Sequence, residues 1–127
     1  MKIYIATALG NFQEARDWAE KFRAAGHKVT SKWIDSVDSE SIDPTLFESR
    51  YEILTSNLYD LKSADVVFVI TRDESGKATY SEIGYALALG MRVVWFIPGY
   101  IGGNIFDVHS LVDLAFFESE VMGMIDQ

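Results

Sequence analysis

The stretch ADVVFVIT, Ala64 to Thr71, decides how this chain folds. From Val66 to Ile70 it is apolar without a break, whereas a strand with one face in water alternates apolar and polar side chains. An unbroken run of this kind belongs to a strand covered on both faces, as in a parallel sheet between layers of helix. RVVWFIP, Arg92 to Pro98, has the same character. Between the two, Thr79 to Leu89 reads as a helix stopped by Gly90, so the centre of the chain is a strand–helix–strand unit.

Working outward, the same alternation continues. KIYIAT, Lys2 to Thr7, is a first strand. Asn11 to Ala25 follows with helical spacing of Phe12, Ala15, Trp18, Ala19 and Phe22, with Asn11 and Glu14 as an N-terminal cap pair and Gly26 as the stop. HKVTSKWI, His27 to Ile34, reads as the second strand, and residues 35–43 as an acidic polar loop. Asp43-Pro44 fits the start of a helix that carries Leu46, Phe47, Tyr51, Leu54, Leu58 and Leu61 to about Ser63. After the central unit come a glycine-rich loop, GYIGGN, an edge strand in VDLAFF and a closing helix from Glu118 to Ile125. The expected fold is therefore α/β: an open, mostly parallel five-stranded sheet with helices on both faces, a flavodoxin- or Rossmann-like three-layer sandwich formed by one domain, residues 1–127. Ligands of such sheets bind beyond the C-terminal ends of the strands, where the strand order reverses. Ala6 to Gly10, Trp33 to Ser36, Thr71 to Glu82 and Pro98 to Asn104 are expected there.

Composition narrows the function. The chain has 127 residues and no cysteine, so disulfides, thiolate metal sites and cysteine nucleophiles are excluded. The net charge is −8 and the basic residues are scattered, which argues against polymeric nucleic acid as a partner. The longest uncharged run, Val93 to Phe106, is broken by Pro98, Gly99, Gly102 and Gly103 and makes a poor membrane span. MKIYIA runs straight into a strand pattern with no separate signal-like segment, and a cytoplasmic protein is expected. SGK before a helix invites a phosphate-loop reading, but Thr71 and Ala78 stand where that motif needs glycine and a hydroxyl residue. ATALGNF has one glycine where a dinucleotide fingerprint needs three. His27 and His109 have no spacing partner for a metal and read as structural. Trp33 and Trp95 read as core or sheet residues, with Trp33 the better ligand candidate because an indole near a strand end can stack on a base.

Glu82 carries two readings. Thr79 followed three residues later by Glu82 is a capping-box pattern, in which the carboxylate satisfies free backbone donors. A carboxylate at the start of a helix beside the mouth of an α/β sheet is equally where a nucleophile would be kept ionised.

TYSEIGYALALGMRVVWF, Thr79 to Phe96, resembles the nucleoside 2-deoxyribosyltransferase-like family, which includes deoxyribosyltransferases and 2′-deoxynucleoside 5′-phosphate N-hydrolases. MKIYIATAL, AAGHKVTSKWID, LYDLKSADVVFVIT, GGNIF and FESEVM resemble other parts of it, so the likeness spans nearly the whole chain. The resemblance implies that Glu82 attacks C1′ of the sugar, forming a glycosyl-enzyme that water or another base resolves. It implies a site-orienting role for Tyr4, no metal or organic cofactor, and a homodimer or higher oligomer whose neighbouring chain completes the site near Asn104. Tyr4, Ala6, Trp33 and Asp35 are expected to line the sugar and base pocket. Ser75, Gly76 and Lys77 are either a 5′-phosphate site or a plain solvated loop. The chain departs from the family's pattern twice: Asn57 replaces a usual aspartate, with Asp60 as a reserve carboxylate, and Ala78 replaces a usual glycine. The expected function is thus cleavage or exchange of the N-glycosidic bond of a small nucleoside or nucleoside monophosphate. The alternative, favoured by Asn57, is a nucleotide-binding or sensing module without turnover, and a structural interaction domain is a weaker third.

Overall fold

The computed structural model describes residues 1–36, 47–72, 77–99 and 109–127. Five strands, β1 (Lys2–Ala6), β2 (Lys28–Val29), β3 (Val66–Ile70), β4 (Arg92–Phe96) and β5 (Val112–Ala115), form one sheet in the order β2-β1-β3-β4-β5. Every pairing is parallel. The helices are α1 (Phe12–Ala24), α2 (Trp33–Ser36), α3 (Phe47–Lys62), α4 (Lys77–Ala88) and α5 (Glu118–Ile125), with a 3-10 turn at Leu9–Asn11.

The apolar central strands do what their sequence requires. All five residues of β3 are buried, because alternate side chains enter opposite helical layers. Ile3, Ile5, Val66, Phe68, Ile70, Val94 and Phe96 meet Trp18 and Phe22 of α1 and Val121 and Ile125 of α5. Tyr4, Ala6, Val67, Val69, Val93 and Trp95 meet Leu61 of α3 and Ile83, Ala86 and Leu87 of α4 on the other face. The chain leaves β1 outward to β2 and returns on β1's other side as β3, so the strand order reverses between β1 and β3.

Gly26 and Gly90 end α1 and α4 in left-handed geometry, with φ of 91° and 74°. At each, the next amide reaches back to close the helix: His27 to the Phe22 carbonyl at 3.0 Å and Met91 to the Ala86 carbonyl at 2.9 Å.

Three local expectations are corrected. The second strand covers only Lys28–Val29, not His27 to Ile34. Beyond it the Ser31 hydroxyl accepts the Ile5 amide at 3.1 Å, and the Lys32 amide turns to Asp60 at 3.1 Å, so side chains replace the backbone ladder and the chain bends into α2. Asn11 does not cap α1 with Glu14. Its side-chain amide donates to Thr7 Oγ1 at 3.3 Å, while Glu14 accepts two bonds from Arg72, at 2.7 and 2.6 Å. Thr79 is not a cap either, because α4 already begins at Lys77 and Thr79 is buried inside it. Asp43-Pro44 and most of the 35–43 and GYIGGN loops lie outside the described residues.

Candidate active site

Strand alternation decides where Tyr4 points. Ile3 and Ile5 belong to the α1 layer, so Tyr4 enters the α3–α4 layer, where it is fully buried. Helical spacing sinks Thr79, Ile83, Ala86 and Leu87 of α4 toward the sheet and leaves Glu82 half-buried at the edge of that stripe. There the Tyr4 hydroxyl donates a short hydrogen bond to Glu82 Oε2. The carboxylate is thus bound to a strand 78 positions away in sequence, and does not serve as the partner of a Thr79 cap.

Glu82 opens into a cleft of about 450 Å³ between α3 and α4. Helix α3 lines it with Arg50, Ile53, Leu54, Asn57 and Leu58; α4 adds Ala78, Ser81, Glu82 and Tyr85. Asn57 and Glu82 therefore face the same space. Asn57 and Ile53 also line a second cleft of about 320 Å³, with Lys32, Trp33 and Ser36. Trp33 stands across Asn57 from the Glu82 cleft, and its Nε1 donates to the Ile5 carbonyl at 2.9 Å, which fixes the indole edge.

Burial pushes the Glu82 carboxyl up from 4.5 to about 7, because a charge in a poorly solvated cleft is costly; the Tyr4 hydrogen bond acts in the opposite direction by stabilising the anion. Burial first, then the charge of Glu82 and the bond to it, push the Tyr4 phenol far upward. Tyr4 is thus a neutral donor whenever Glu82 is ionised. A carboxyl at about 7 holds both protonation states near neutrality and can act as nucleophile or proton acceptor.

The other sequence-selected residues fall apart into groups. Asp60 is 2% exposed and lines neither cleft; its carboxylate accepts the Lys32 amide at 3.1 Å and the Lys32 Nζ at 2.9 Å. It is close enough to add to the upward push on Tyr4. Ala6 is buried in the sheet opposite Val69. Asp35 is exposed on α2 and lines neither cleft. Lys77 is exposed at the start of α4, its carbonyl accepting from Ser81 Oγ at 3.2 Å. Ser75, Gly76 and Asn104 lie outside the described residues.

His27 bonds Asp126 at 2.9 Å, and His109 Nδ1 accepts the Leu111 amide at 3.0 Å. Among the described residues no group of three or more His, Asp or Glu side chains could hold a metal ion, and no helix is long and apolar enough to cross a membrane.

Sequence reasoning passed over Arg50, Ile53 and Tyr85. The signal was present: Arg50, Ile53 and Asn57 recur at helical spacing on one side of α3. No motif singled them out.

Neither a family model nor a curated protein matches the chain. Solved structures do. A 2-deoxyribosyltransferase from Bacillus psychrosaccharolyticus is 26% identical, covering 95% of this chain and 90% of its own, with a TM-score of 0.77. A CMP N-glycosidase from Clostridium botulinum is 15% identical over 100% of both chains, with a TM-score of 0.71. A conserved protein from Enterococcus faecalis is 14% identical, covering 100% of this chain and 98% of its own, at 0.73. The last two share the fold; the first shares sequence as well, over nearly the full length of both chains. Together with the parallel five-stranded sheet, these likenesses support the chain's resemblance to the nucleoside 2-deoxyribosyltransferase-like family, whose fold it shares.

Proposed function

We propose that this chain is an enzyme that cleaves or exchanges the N-glycosidic bond of a nucleoside or nucleoside 5′-monophosphate, with Glu82 as the nucleophile. The observation that carries the reading is one half-buried carboxylate, bonded to a neutral tyrosine hydroxyl and open to a cleft. The likeness to a deoxyribosyltransferase and an N-glycosidase supports the reaction class.

In this mechanism ionised Glu82 attacks C1′. The C1′–N bond breaks, and its electron pair leaves with the base, which takes a proton from solvent. Water or a second base then attacks C1′ of the glycosyl-enzyme, loses its proton to solvent, and returns Glu82 to the carboxylate. Tyr4 orients the attacking oxygen and favours its charged form. Asn57 holds a sugar hydroxyl in the same cleft. Asp60 acts from behind, by fixing α3 against the turn before α2 and by its charge near Tyr4. Trp33 offers a surface for the base, with Ala6 and Asp35 shaping the end of the sheet. Ser75, Gly76 and Lys77 are assigned to the 5′-phosphate of the substrate, and a neighbouring chain completes the site near Asn104. The reaction needs no metal or organic cofactor, and a cytoplasmic homo-oligomer of this domain is the form in which we expect it.

Asn57 favours a second reading, a nucleotide-binding module without turnover, because an amide cannot replace the carboxylate usual at that position. Incubating wild type and Glu82→Ala with nucleosides and their 5′-monophosphates, with and without a free base, separates the two. Base release or exchange by wild type, and none by the folded variant, is the expected result. Nucleotide binding without release of any base would replace the enzyme reading by the binding module.

A further inference from the structure

The cleft of about 320 Å³ between α2 and α3 adjoins the Glu82 cleft, because Ile53 and Asn57 line both. Its other walls are Lys32, Trp33 and Ser36 on the α2 side, and Glu52 and Ser56 on α3. Helical spacing explains the division. Ile53, Asn57, Asp60 and Leu61 recur on the side of α3 nearest the sheet, and burial deepens along that stripe. Glu52 and Ser56 lie one turn apart on the flank that meets α2, and both are exposed.

The polar groups on the α2 side are already engaged. Lys32 Nζ holds Asp60 at 2.9 Å and lies 5.4 Å from the centre of the Tyr59 ring. Ser36 Oγ donates to the Trp33 carbonyl at 3.2 Å, and Trp33 Nε1 to the Ile5 carbonyl at 2.9 Å. Glu52, Ser56 and Asn57 have no hydrogen-bond or ion-pair partner among the described residues. Asn57 also faces Glu82, which leaves Glu52 and Ser56 as the free polar pair at the Trp33 end. A carboxylate only accepts hydrogen bonds, so this rim of the cleft is suited to N–H groups.

We infer that Glu52, with Ser56, selects the base: the enzyme prefers a nucleoside whose base carries an exocyclic amino group, such as cytosine or guanine, over its counterpart without one, uracil or hypoxanthine. The inference rests on the proposed reaction for the position of C1′ at Glu82, and on the second cleft alone for the base contact. The base is bonded to C1′. A sugar held at Glu82 and Asn57 therefore sends its base into an adjoining space, and the cleft across Asn57 has an indole on which it can stack. Cytosine turns its amino N–H to Glu52 and its ring N3 to the Ser56 hydroxyl. Guanine offers two adjacent N–H groups, which one carboxylate accepts together. Uracil has a single N–H on that edge, flanked by two carbonyl oxygens that a carboxylate repels. Hypoxanthine lacks the amino group of guanine and keeps one of its two bonds.

The test measures kcat/KM for base release from pairs that share sugar and phosphate and differ only in the base, cytosine against uracil and guanine against hypoxanthine, in wild type, Glu52→Gln and Glu52→Ala. Calorimetric binding of the same compounds runs alongside. Glu52 is exposed and both replacements favour helix, so the variants fold, as circular dichroism will check. Wild type is expected to favour the amino base by about 10- to 100-fold in each pair. Glutamine sets a donor beside its acceptor, so Glu52→Gln should remove most of that preference, as should Glu52→Ala. The change should fall mainly on KM, because the base contact is made before the glycosidic bond breaks. A wild type without the preference, or a preference that survives in both variants, overturns the inference and leaves the glycosidic reading standing. Glu52-dependent binding of the amino base with no base release supports the base contact and overturns the reaction. Neither binding nor release overturns both.

Discussion

Replacing Glu82 by glutamine should stabilise the protein, and by an amount that depends on pH. The folded state holds the Glu82 carboxyl at about 7, against 4.5 for an ordinary glutamate. The folded protein therefore binds a proton here that the unfolded chain releases, and stability falls as pH rises from about 4.5 through 7. Below 4.5 both states are protonated and nothing is lost. Well above 7 the full cost of burying the charge is felt, about 3 kcal/mol at roughly 1.4 kcal/mol per unit. Glutamine keeps the shape and an oxygen for the Tyr4 hydroxyl but never carries the charge. Its advantage over wild type should be under about half a kcal/mol at pH 4.5 and about 3 kcal/mol at pH 8. Urea unfolding of both proteins across this range, compared pairwise, cancels every other titrating group. A difference that stays flat with pH would refute the argument, since it would mean that Glu82 is not desolvated in the fold. The same substitution should abolish base release, so stability gained and activity lost would arise from one charge.

Tyr4→Phe removes the bond that favours the Glu82 anion, so the pH at half-maximal base release should move upward from about 7; a pH–rate profile reads the shift, and an unmoved or lowered midpoint would contradict the pairing. Asp60→Ala leaves the Lys32 amide without its buried acceptor and should cost about 1–3 kcal/mol, read as a lower urea midpoint, whereas an unchanged midpoint would show that the pair with Lys32 contributes nothing.

Most of the architecture is local chemistry and can be read from the chain. The unbroken apolar run of β3 demands cover on both faces, and it is buried on both. Gly26 and Gly90 end their helices because a left-handed residue is needed to close each one, and glycine meets that need without strain. Helix α5 begins and ends at Glu118 and Ile125, where its periodicity says it should. The second strand fails as a sequence reading for an equally physical reason. His27 to Ile34 carries the strand formers Val29, Thr30, Trp33 and Ile34, but after the Thr30 amide bonds the Ile3 carbonyl, Ser31 and Asp60 supply side-chain partners that take over from the ladder, and such competition is invisible to propensity.

Glu82 marks the boundary between the two kinds of information. The sequence by itself determined that a carboxylate sits in the TYSEIGYALALG helix, and it offered a local partner, Thr79. Only the tertiary structure decided against that partner. A helix starting at Lys77 buries Thr79, and the reversal of strand order between β1 and β3 brings Tyr4 up beneath α4. The cleft follows the same rule. Arg50 and Asn57 belong to α3 and Glu82 to α4, helices whose spacing is legible, but the space they share exists only once α3 and α4 pack side by side on the sheet. Local sequence sets which side chains a helix or strand presents; the desolvation, the hydrogen bond and the charge contrast arise from elements distant in sequence, because each needs two surfaces to meet.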